Sequence, residues 1–284
     1  MTVKITGFAD EIAPELTAQI AGLKGLGMSY VEMRGVDGEN LIYHTDEKVE
    51  QIKKTLDDNG IRLSALGSPL GKILITDDFA PHFEEFKRAV EISHKMECPT
   101  IRMFSFYLPQ ESDPAAYEGE VFDRIGKFVD YANDTLLLHE NEKDIYGAMA
   151  PECKKLMDTF YGDHFKAIFD FANFVQCGQD TLEAYEMLKS YIAYIHVKDA
   201  LKSDQSVVPA GYGDGNVAVI LKRLSASGFD GFLSLEPHLF EFEGFHALEK
   251  DGRSIAVKEK KVLSGLETFT IAHDALMKLL DNCM

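Results

Sequence analysis

The chain is short of positive charge. Its 284 residues contain 29 Lys and Arg against 47 Asp and Glu, which gives a formal net charge of −18 at pH 7. Proteins that hold a nucleic-acid backbone do so mainly through cation–phosphate contacts, so this balance argues against a broad nucleic-acid-binding face. We expect no nucleic-acid partner. A local cationic pocket for a small anion is still compatible with the composition.

Cysteines and long apolar runs are also scarce. The four cysteines have no short paired spacing, which favours the reduced thiols of a cytoplasmic protein over a disulfide framework. The N-terminal stretch "MTVKITGFADE" lacks the apolar segment of a signal peptide, and no window reaches the apolar length of a membrane span. The sequence therefore predicts a cytoplasmic protein that has no membrane partner.

Strand-like apolar runs, in contrast, recur along the whole chain. They cover residues 3–9, 30–35, 61–67, 100–107, 135–140, 166–171, 192–197 and 231–237. Helix-period segments lie between them; in one of these, Phe79, Phe83, Phe86 and Val90 share a face. Eight alternations of strand and helix predict an α/β fold, a (β/α)8 TIM barrel. No break in composition divides it, so we expect a single domain over residues 1–284.

The lengths of the connections indicate where the function lies. Links from helix to strand are short and carry a glycine at the expected helix end, as at Gly27, Gly60 and Gly228. Links from strand to helix are longer, and the longest, residues 238–263, follows strand eight. In a TIM barrel these loops form the C-terminal face, where active sites are built. We expect the functional site there.

Four consecutive strands end in residues that bind metal ions. The side chains are Glu140 in "TLLLHENE", Asp170 in "AIFDFAN", His196 in "YIHVKDA" and Glu236 in "LSLEPH". Adjacent strands lie about 4.8 Å apart, so the four ends can converge on one ion. Three carboxylates and an imidazole suit Mn²⁺, Mg²⁺ or Co²⁺, with Zn²⁺ as a further option. Any one of these residues alone is more often a solvated strand end or part of an ion pair, and the prediction depends on the repetition.

Other polar residues share the strand phase of these ligands and are candidates for substrate binding. Glu32 and Arg34 lie on one strand face, where Arg34 can clamp a carboxylate or phosphate, or the two can form a rim ion pair. Lys198 is a candidate to bind a substrate oxygen or to pair with Asp199 or Glu236. His238 and Glu142 follow Glu236 and Glu140 by two residues and so face the same way.

The remaining histidines and aromatic residues give weaker signals. His139 alternates outward from Glu140 and is expected to pack, whereas His82, His94, His164 and His273 lie on or beside helices and are expected at the surface. Aromatic residues near the mouth, Phe8, Phe104 and Phe106, are candidates for stacking on a sugar. The stretch "GYGDGN" (211–216) lacks the context of a nucleotide-binding motif, so we interpret it as a flexible entry to helix seven.

At these residues the chain resembles the sugar phosphate isomerase/epimerase group of the xylose-isomerase-like barrel superfamily. The resemblance runs from "GFADEI" through "YVEMRGVDG", "HENE", "FDFANF" and "YIHVKDA" to "SLEPH". It implies that Glu140, Asp170, His196 and Glu236 bind one divalent metal ion, with Mn²⁺ favoured. It also implies that Glu140 and Glu236 serve as acid and base on a sugar or sugar-phosphate substrate, and that a homo-oligomer can form.

The chain departs from that group at two positions. Epimerases usually carry a substrate-binding histidine where this chain has Asn173, and an arginine where it has Lys202. Asn173 is then the expected substrate contact. We expect an isomerase or epimerase that acts through an enediolate; an inosose-type dehydratase and a non-catalytic metal- or sugar-binding barrel are the alternatives. A DNA-repair enzyme of the endonuclease IV type would need further histidines, at Asn173 and within 213–216.

Overall fold

Eight parallel strands form a nearly closed barrel, as predicted. The computed structural model describes residues 2–239 and 263–283, so most of the predicted loop 238–263 lies outside the described residues. The strands, numbered here in chain order, are β1 (Thr2–Gly7), β2 (Tyr30–Met33), β3 (Arg62–Gly67), β4 (Thr100–Met103), β5 (Leu136–Glu140), β6 (Phe165–Asp170), β7 (Ile192–Val197) and β8 (Asp230–Leu235). Their hydrogen-bonded order is β1-β8-β7-β6-β5-β4-β3-β2, and β1 and β2 face each other across the remaining seam.

Helices connect the strands. They are α1 (Leu16–Gly25), α2 (Asp46–Asp58), α3 (Phe79–Lys95), α4 (Glu118–Ala132), α5 (Ala150–Phe160), α6 (Phe171–Gln176), α7 (Thr181–Leu188), α8 (Val217–Ala226) and α9 (Gly265–Cys283). Each of α2 to α5 has an apolar face toward the barrel, which is the pattern that predicted them. Within the described residues, no helix is both long and apolar enough to cross a membrane.

Short glycine-marked links join helix to strand, as predicted. After α1, Gly27 has φ of +71° and donates its N–H to Lys24, while the N–H of Met28 bonds back to Leu23. These two bonds define a Schellman motif, which favours glycine because L side chains crowd the backbone at positive φ. The same pair of bonds closes α2 at Gly60 and α8 at Gly228. The chain makes this turn at three glycines, and α3 ends with the same pair of bonds at Glu97, whose φ is +54°.

Five predicted strands end one to four residues earlier than the sequence indicated, and two of them, β2 and β4, pass directly into other local structure. After β2, residues 35–40 form a small hairpin whose turn, Asp37-Gly38, has positive φ at both positions. After β4, the chain leaves the sheet at Phe104, and Phe106 has φ of +67°. The apolar run continues because these residues pack under the loop at 68–77, which bonds to it through Leu70, Ile73 and Ile75.

Polar residues occupy part of the barrel interior, one layer below the strand ends. Thr6, Ser64, Tyr194, Glu32 and Ser234 are all buried and form one chain of hydrogen bonds from Thr6 to Ser234. Because side chains alternate along a strand, Tyr194 and Ser234 lie directly beneath His196 and Glu236. The strand ends therefore rest on a fixed polar floor.

Candidate metal centre and active site

The four predicted ligand residues meet at the C-terminal end of the barrel. Glu140, Asp170, His196 and Glu236 are at most 3 % exposed, and each offers a ligand atom within 4.8 Å of the others. They come from β5 to β8, four strands that are consecutive neighbours in the sheet. The sequence correctly predicted their convergence; their roles remain predictions. We call these four residues the strand-end cluster.

His196 is held on both sides of its ring. Its Nδ1 lies 2.8 Å from Glu140 Oε1, and its Nε2 lies 3.1 Å from Glu32 Oε2. The edge of the Phe8 ring packs against it at 5.3 Å between centroids. A carboxylate on one imidazole nitrogen fixes the ring so that the other nitrogen can face a metal ion. Glu32 is thus placed to orient Nδ1 toward the cluster.

Glu32 lies deeper than a substrate contact would. It is fully buried and accepts hydrogen bonds from Ser234 Oγ at 2.6 Å and from the Tyr194 hydroxyl at 2.9 Å. The sequence suggested a contact with substrate or an ion pair with Arg34. Instead its carboxylate contacts Tyr194, Ser234 and His196, which supports a role in holding the His196 ring.

Asp170 carries the clearest sign that the cluster accepts a cation. Its Oδ1 caps α6 by accepting the N–H of Asn173 at 2.8 Å. Its Oδ2 is buried and has no hydrogen-bond partner among the described residues; the Lys198 ammonium lies 3.3 Å away and also contacts Glu236 Oε2 at 2.8 Å. A buried carboxylate oxygen is costly unless a charge compensates it. The donor set therefore fits a divalent ion with oxygen and imidazole ligands.

Cations border the cluster on both sides. Arg102 contacts Glu140 Oε2 at 3.2 Å, and Arg34 contacts Glu236 Oε1 at 3.2 Å. Arg34 also pairs with Asp10 at 2.8 Å and with Glu11 at 3.4 Å. These contacts replace the predicted Glu32–Arg34 pair. Each outer glutamate of the cluster thus has an arginine on the side away from Asp170 and His196.

The other predicted substrate contacts surround the cluster. Asn173 Nδ2 lies 3.5 Å from Glu140 Oε1, and His238 Nε2 lies 3.3 Å from Glu236 Oε1. Glu142 accepts a hydrogen bond from Lys72 at 3.2 Å. A small cavity opens above the cluster. It is lined by Arg34, Lys72, Arg102, Glu142, Lys143, Asn173, Gln176, Lys198, Glu236 and His238.

Electrostatics keep several of these groups charged. Although burial by itself lowers the pKa of His196, the carboxylates of Glu140 and Glu32 raise it well above its ordinary value. Burial alone would raise the pKa of Glu236, but Lys198 and nearby cationic groups hold it well below its usual range. Burial raises the pKa of Asp170 to about 7 and that of Glu11 to about 8. The outer glutamates are thus ionised, while Asp170 and Glu11 readily hold a proton.

Several residues of the site were missed from the sequence. Arg102, Lys72, Asp10 and Glu11 contact the predicted residues, and Glu11 forms a second close group with Glu236 and His238. Arg102 was recognisable as the one charged residue in an apolar strand run. For Glu11 and Lys72 only their loop positions pointed to the site.

Other predicted positions need correction or are confirmed. His82 was expected at the surface but is 4 % exposed, because it shares the apolar face of α3 with Phe79 and Phe86. Phe8, Phe104 and Phe106 are fully buried, so their rings are not open for stacking on a sugar. His139 packs inside the structure at 1 % exposure, as expected.

The stretch 211–216 is held in place rather than being a loose entry to a helix. Asp199 Oδ2 accepts the N–H groups of Gly211 and Gly213, and its Oδ1 accepts those of Gly215 and Ala200, at 2.8–3.0 Å. A concave run of backbone N–H groups can bind an anion. Here that anion is the chain's own carboxylate.

With the fold and the strand-end cluster described, comparison with known families gives the class of the protein. The family model of the xylose isomerase-like TIM barrel matches residues 20–256. The chain therefore belongs to this family. A search of the curated proteins finds no significant match.

Solved structures share the fold at low sequence identity. An L-ribulose 3-epimerase aligns with a TM-score of 0.76 and 16 % identity, covering 100 % of this chain and 96 % of the other. The IOLI protein with a bound zinc atom aligns at 0.74 and 15 %, covering 99 % of both chains. A probable 3-DHS dehydratase, AsbF, from Bacillus anthracis aligns at 0.70 and 17 %, covering 98 % of this chain and 99 % of the other. The structural neighbours thus include epimerases and a dehydratase.

Proposed function

We propose that the protein is a divalent-metal-dependent isomerase or epimerase of a sugar or a sugar-like hydroxy-ketone. The observation that carries this proposal is the strand-end cluster, whose buried ligand atoms lie within 4.8 Å of one another and include Asp170 Oδ2, which accepts no hydrogen bond among the described residues. The similarity to a zinc-containing barrel and to sugar epimerases supports it. Mn²⁺ is the ion we favour; Mg²⁺, Co²⁺ and Zn²⁺ also suit the donor set.

Glu140, Asp170, His196 and Glu236 would hold one ion. When bound, a divalent ion supplies Lewis-acid polarisation of a carbonyl, which makes a neighbouring C–H bond more acidic. The nearby group of Glu11, Glu236 and His238 is a weaker competitor for a second ion. Arg34 lies within 3.4 Å of both glutamates of that group and already supplies positive charge there.

The two outer glutamates are the proposed acid and base. Glu140 and Glu236 come from β5 and β8, with β6 and β7 between them, so their carboxylates approach the cluster from different sides. Burial alone would raise the pKa of both glutamates, but His196 and Arg102 lower the pKa of Glu140, and Lys198 lowers that of Glu236, so either can accept a proton from carbon. Returning a proton to the opposite face of that carbon gives epimerisation, and returning it to the neighbouring carbon gives isomerisation.

Glu11 keeps a dehydratase as the second candidate. Burial raises the pKa of Glu11 to about 8, so at neutral pH it holds a proton that it can donate to a leaving hydroxyl group. The similarity to the probable dehydratase agrees with this alternative. Both reactions share the first step, which is removal of a proton from carbon next to a carbonyl.

Solvent-exchange measurements test the shared step. Ketoses and inososes are incubated with the protein and Mn²⁺ in D₂O, and deuterium uptake is followed by NMR. Exchange at a carbon next to the carbonyl is expected, and chelation should abolish it. The product then separates epimerase, isomerase and dehydratase. A protein that binds these compounds without exchange would be a binding module instead.

The remaining expectations concern the setting of the enzyme. We propose a single-domain chain that works in the cytoplasm on a small molecule, without a nucleic-acid partner, and that can form a homo-oligomer. Size-exclusion chromatography with light scattering tests the oligomeric state directly.

A further inference from the structure

Three cations alternate with two aromatic rings along one wall of the cavity. The Arg34 guanidinium lies 4.5 Å from the Phe8 ring centre, and Arg102 lies 4.9 Å from the same ring. Arg102 is also 4.8 Å from the centre of the Phe104 ring, over which the Lys72 ammonium lies at 4.5 Å. We call this arrangement the cation–aromatic row. Its three cations all line the cavity.

The row is built into the fold. Phe8 and Phe104 are fully buried, so their faces serve the cations and not a ligand. Lys72 follows Gly71, whose φ is +84° and where a Cβ would lie 2.1 Å from the Phe104 carbonyl oxygen. The Gly71 N–H also donates to His82 Nε2 at 2.8 Å. The loop is therefore fixed where Lys72 reaches the ring.

The two ends of the row differ in how their charge is compensated. Arg34 contacts the carboxylates of Asp10 and Glu236 and the carboxyl group of Glu11. Arg102 contacts Glu140 and the carbonyl oxygen of Ser68, but its Nε is buried and has no hydrogen-bond partner among the described residues. Lys72 contacts Glu142 at the rim, and Lys143 lines the cavity beside them. The Lys72–Arg102 end thus holds donor capacity for a further anion.

The cavity lining is rich in cations although the chain as a whole is acidic. Five of the ten lining residues are Lys or Arg and two are Glu, in a chain whose formal net charge is −18. An excess of one sign of charge in a lining favours ligands of the opposite sign. The charge of the cavity lining therefore favours a negatively charged ligand over a neutral sugar.

We propose that the substrate carries a carboxylate group, which binds at the Lys72–Arg102 end of the row while its hydroxy-ketone end reaches the strand-end cluster. The substrate class is then a polyhydroxy keto acid. This inference rests on the proposed function, because the cluster must hold the reacting end. A carboxylate is favoured over a phosphate because Glu142 already compensates part of the charge at Lys72, and a dianion would meet that carboxylate as a like charge.

Binding measurements on matched compounds test this proposal. The probes are tetruloses, pentuloses and hexuloses, each as the neutral ketose, as the acid oxidised at the terminal carbon, and as the terminal phosphate. Calorimetry on the metal-loaded protein gives their dissociation constants. We expect an acid to bind at least about tenfold more tightly than its neutral counterpart, the effect of one charge-assisted hydrogen bond.

Two lysine variants sharpen the test. Lys72→Gln should weaken binding of the acid by about 10- to 100-fold and weaken binding of the neutral ketose much less. Lys87→Gln is the matched control, because Lys87 also lies over a ring, that of Phe83 at 4.8 Å, and pairs with a carboxylate, but far from the cavity on α3. It should change neither affinity.

The outcomes separate this inference from the proposed function. No acid binding more tightly than its neutral form, or a Lys72→Gln variant with unchanged acid affinity, would overturn the inference. Tighter binding of the phosphate than of the acid would overturn the choice of a carboxylate. Acid selectivity without deuterium exchange would support the anion site and contradict the proposed function. Deuterium exchange on a neutral ketose without tighter binding of the acid would contradict the anion site and support the proposed function.

Discussion

Two buried aspartates at the ends of neighbouring strands differ in what surrounds them. Asp170 ends β6 and Asp199 follows β7, and both are fully buried. Asp199 accepts four backbone N–H groups, which tie the 211–215 loop to the barrel. Asp170 accepts one backbone N–H group on Oδ1, while its Oδ2 has no hydrogen-bond partner among the described residues. The same residue type at the same depth is saturated by backbone donors in one place, whereas in the other one oxygen has only the Lys198 ammonium nearby, at 3.3 Å.

The difference teaches how to separate structural from functional carboxylates in this barrel. A carboxylate whose lone pairs are used by the backbone stabilises the loop that it binds. A carboxylate left without donors raises the free energy of the folded protein unless a ligand compensates it. Removing Asp199 should therefore affect folding, whereas changes in the strand-end cluster should affect ligand binding and catalysis.

The largest expected effect is on turnover. Glu140→Gln and Glu236→Gln keep an oxygen of nearly the same shape but remove the basicity, so each should lower deuterium exchange by about two to four orders of magnitude. Each substitution also removes one partner of a buried ion pair, so circular dichroism should first establish that both variants are folded. Glu50→Gln, at an exposed position on α2, is the control. Equal exchange in parent and variants would leave both glutamates as ligands only, with Lys198 or His238 as the base to test.

A loss of stability is expected when Asp199, the other aspartate of the comparison, is replaced. Asp199→Ala leaves four backbone donors without their acceptor, three of them in the 211–215 loop, and should lower the free energy of unfolding by about 3 kcal/mol. Urea denaturation measures this change. Metal affinity of the folded variant should remain that of the parent. A stable Asp199→Ala variant with lost metal binding would reverse the assignment of the two aspartates.

A smaller effect, on metal affinity, is expected for Glu32, which lies beneath the strand-end cluster. Glu32→Gln removes the charge that orients His196 and should weaken metal binding by about 10- to 100-fold, the usual effect of such a supporting carboxylate. Ser234→Ala removes one donor to Glu32 but keeps the charge, so it should weaken binding less. Metal titration of both variants gives the comparison. Equal affinities in parent and Glu32→Gln would show that the ring is held by packing alone.

The smallest effect concerns the pH dependence of stability. Burial lowers the pKa of His139 to about 4, against about 6.5 in the unfolded chain. The unfolded state thus binds more protons between these values, so stability is lost as the pH falls from about 6.5 toward 4. By pH 5.5 the loss is about 1 kcal/mol. His139→Leu should remove this loss of stability at acid pH, and His164→Gln, at an exposed position, should not.

The sequence predicted the barrel and the strand-end cluster because both depend on local patterns. A polar residue that ends an apolar run is visible without a structure, and corresponding strand ends in a barrel share one face. The role of Arg102 was harder to predict from the sequence. The inward direction of its side chain depends on where β4 leaves the sheet, and the apolar run in the sequence continues past that point. The donors to Asp199 depend on the path of a loop, which no periodicity describes.

His82 shows a second limit of such reasoning. Its position on the apolar face of α3, between Phe79 and Phe86, was available from the helical period, yet the residue type suggested the surface. The sequence does not reveal that the Gly71 N–H needs a buried acceptor, which His82 Nε2 supplies. The identity of a buried polar partner follows from tertiary contacts, and these also decide why Lys72 reaches the cavity.

The central claim is that the cluster binds one divalent ion and that Asp170 Oδ2, which accepts no hydrogen bond among the described residues, is one of its ligands. It is tested most directly by metal binding to the parent and to Asp170→Asn. The parent should bind one Mn²⁺ per chain and gain about 2.7 kcal/mol of stability at a hundredfold excess over Kd. Asp170→Asn keeps the oxygen that caps α6 and should fold as stably as the metal-free parent, but it should lose most of that gain. A parent that binds no ion, or two, or an Asp170→Asn variant stabilised by Mn²⁺ as much as the parent, would contradict the account.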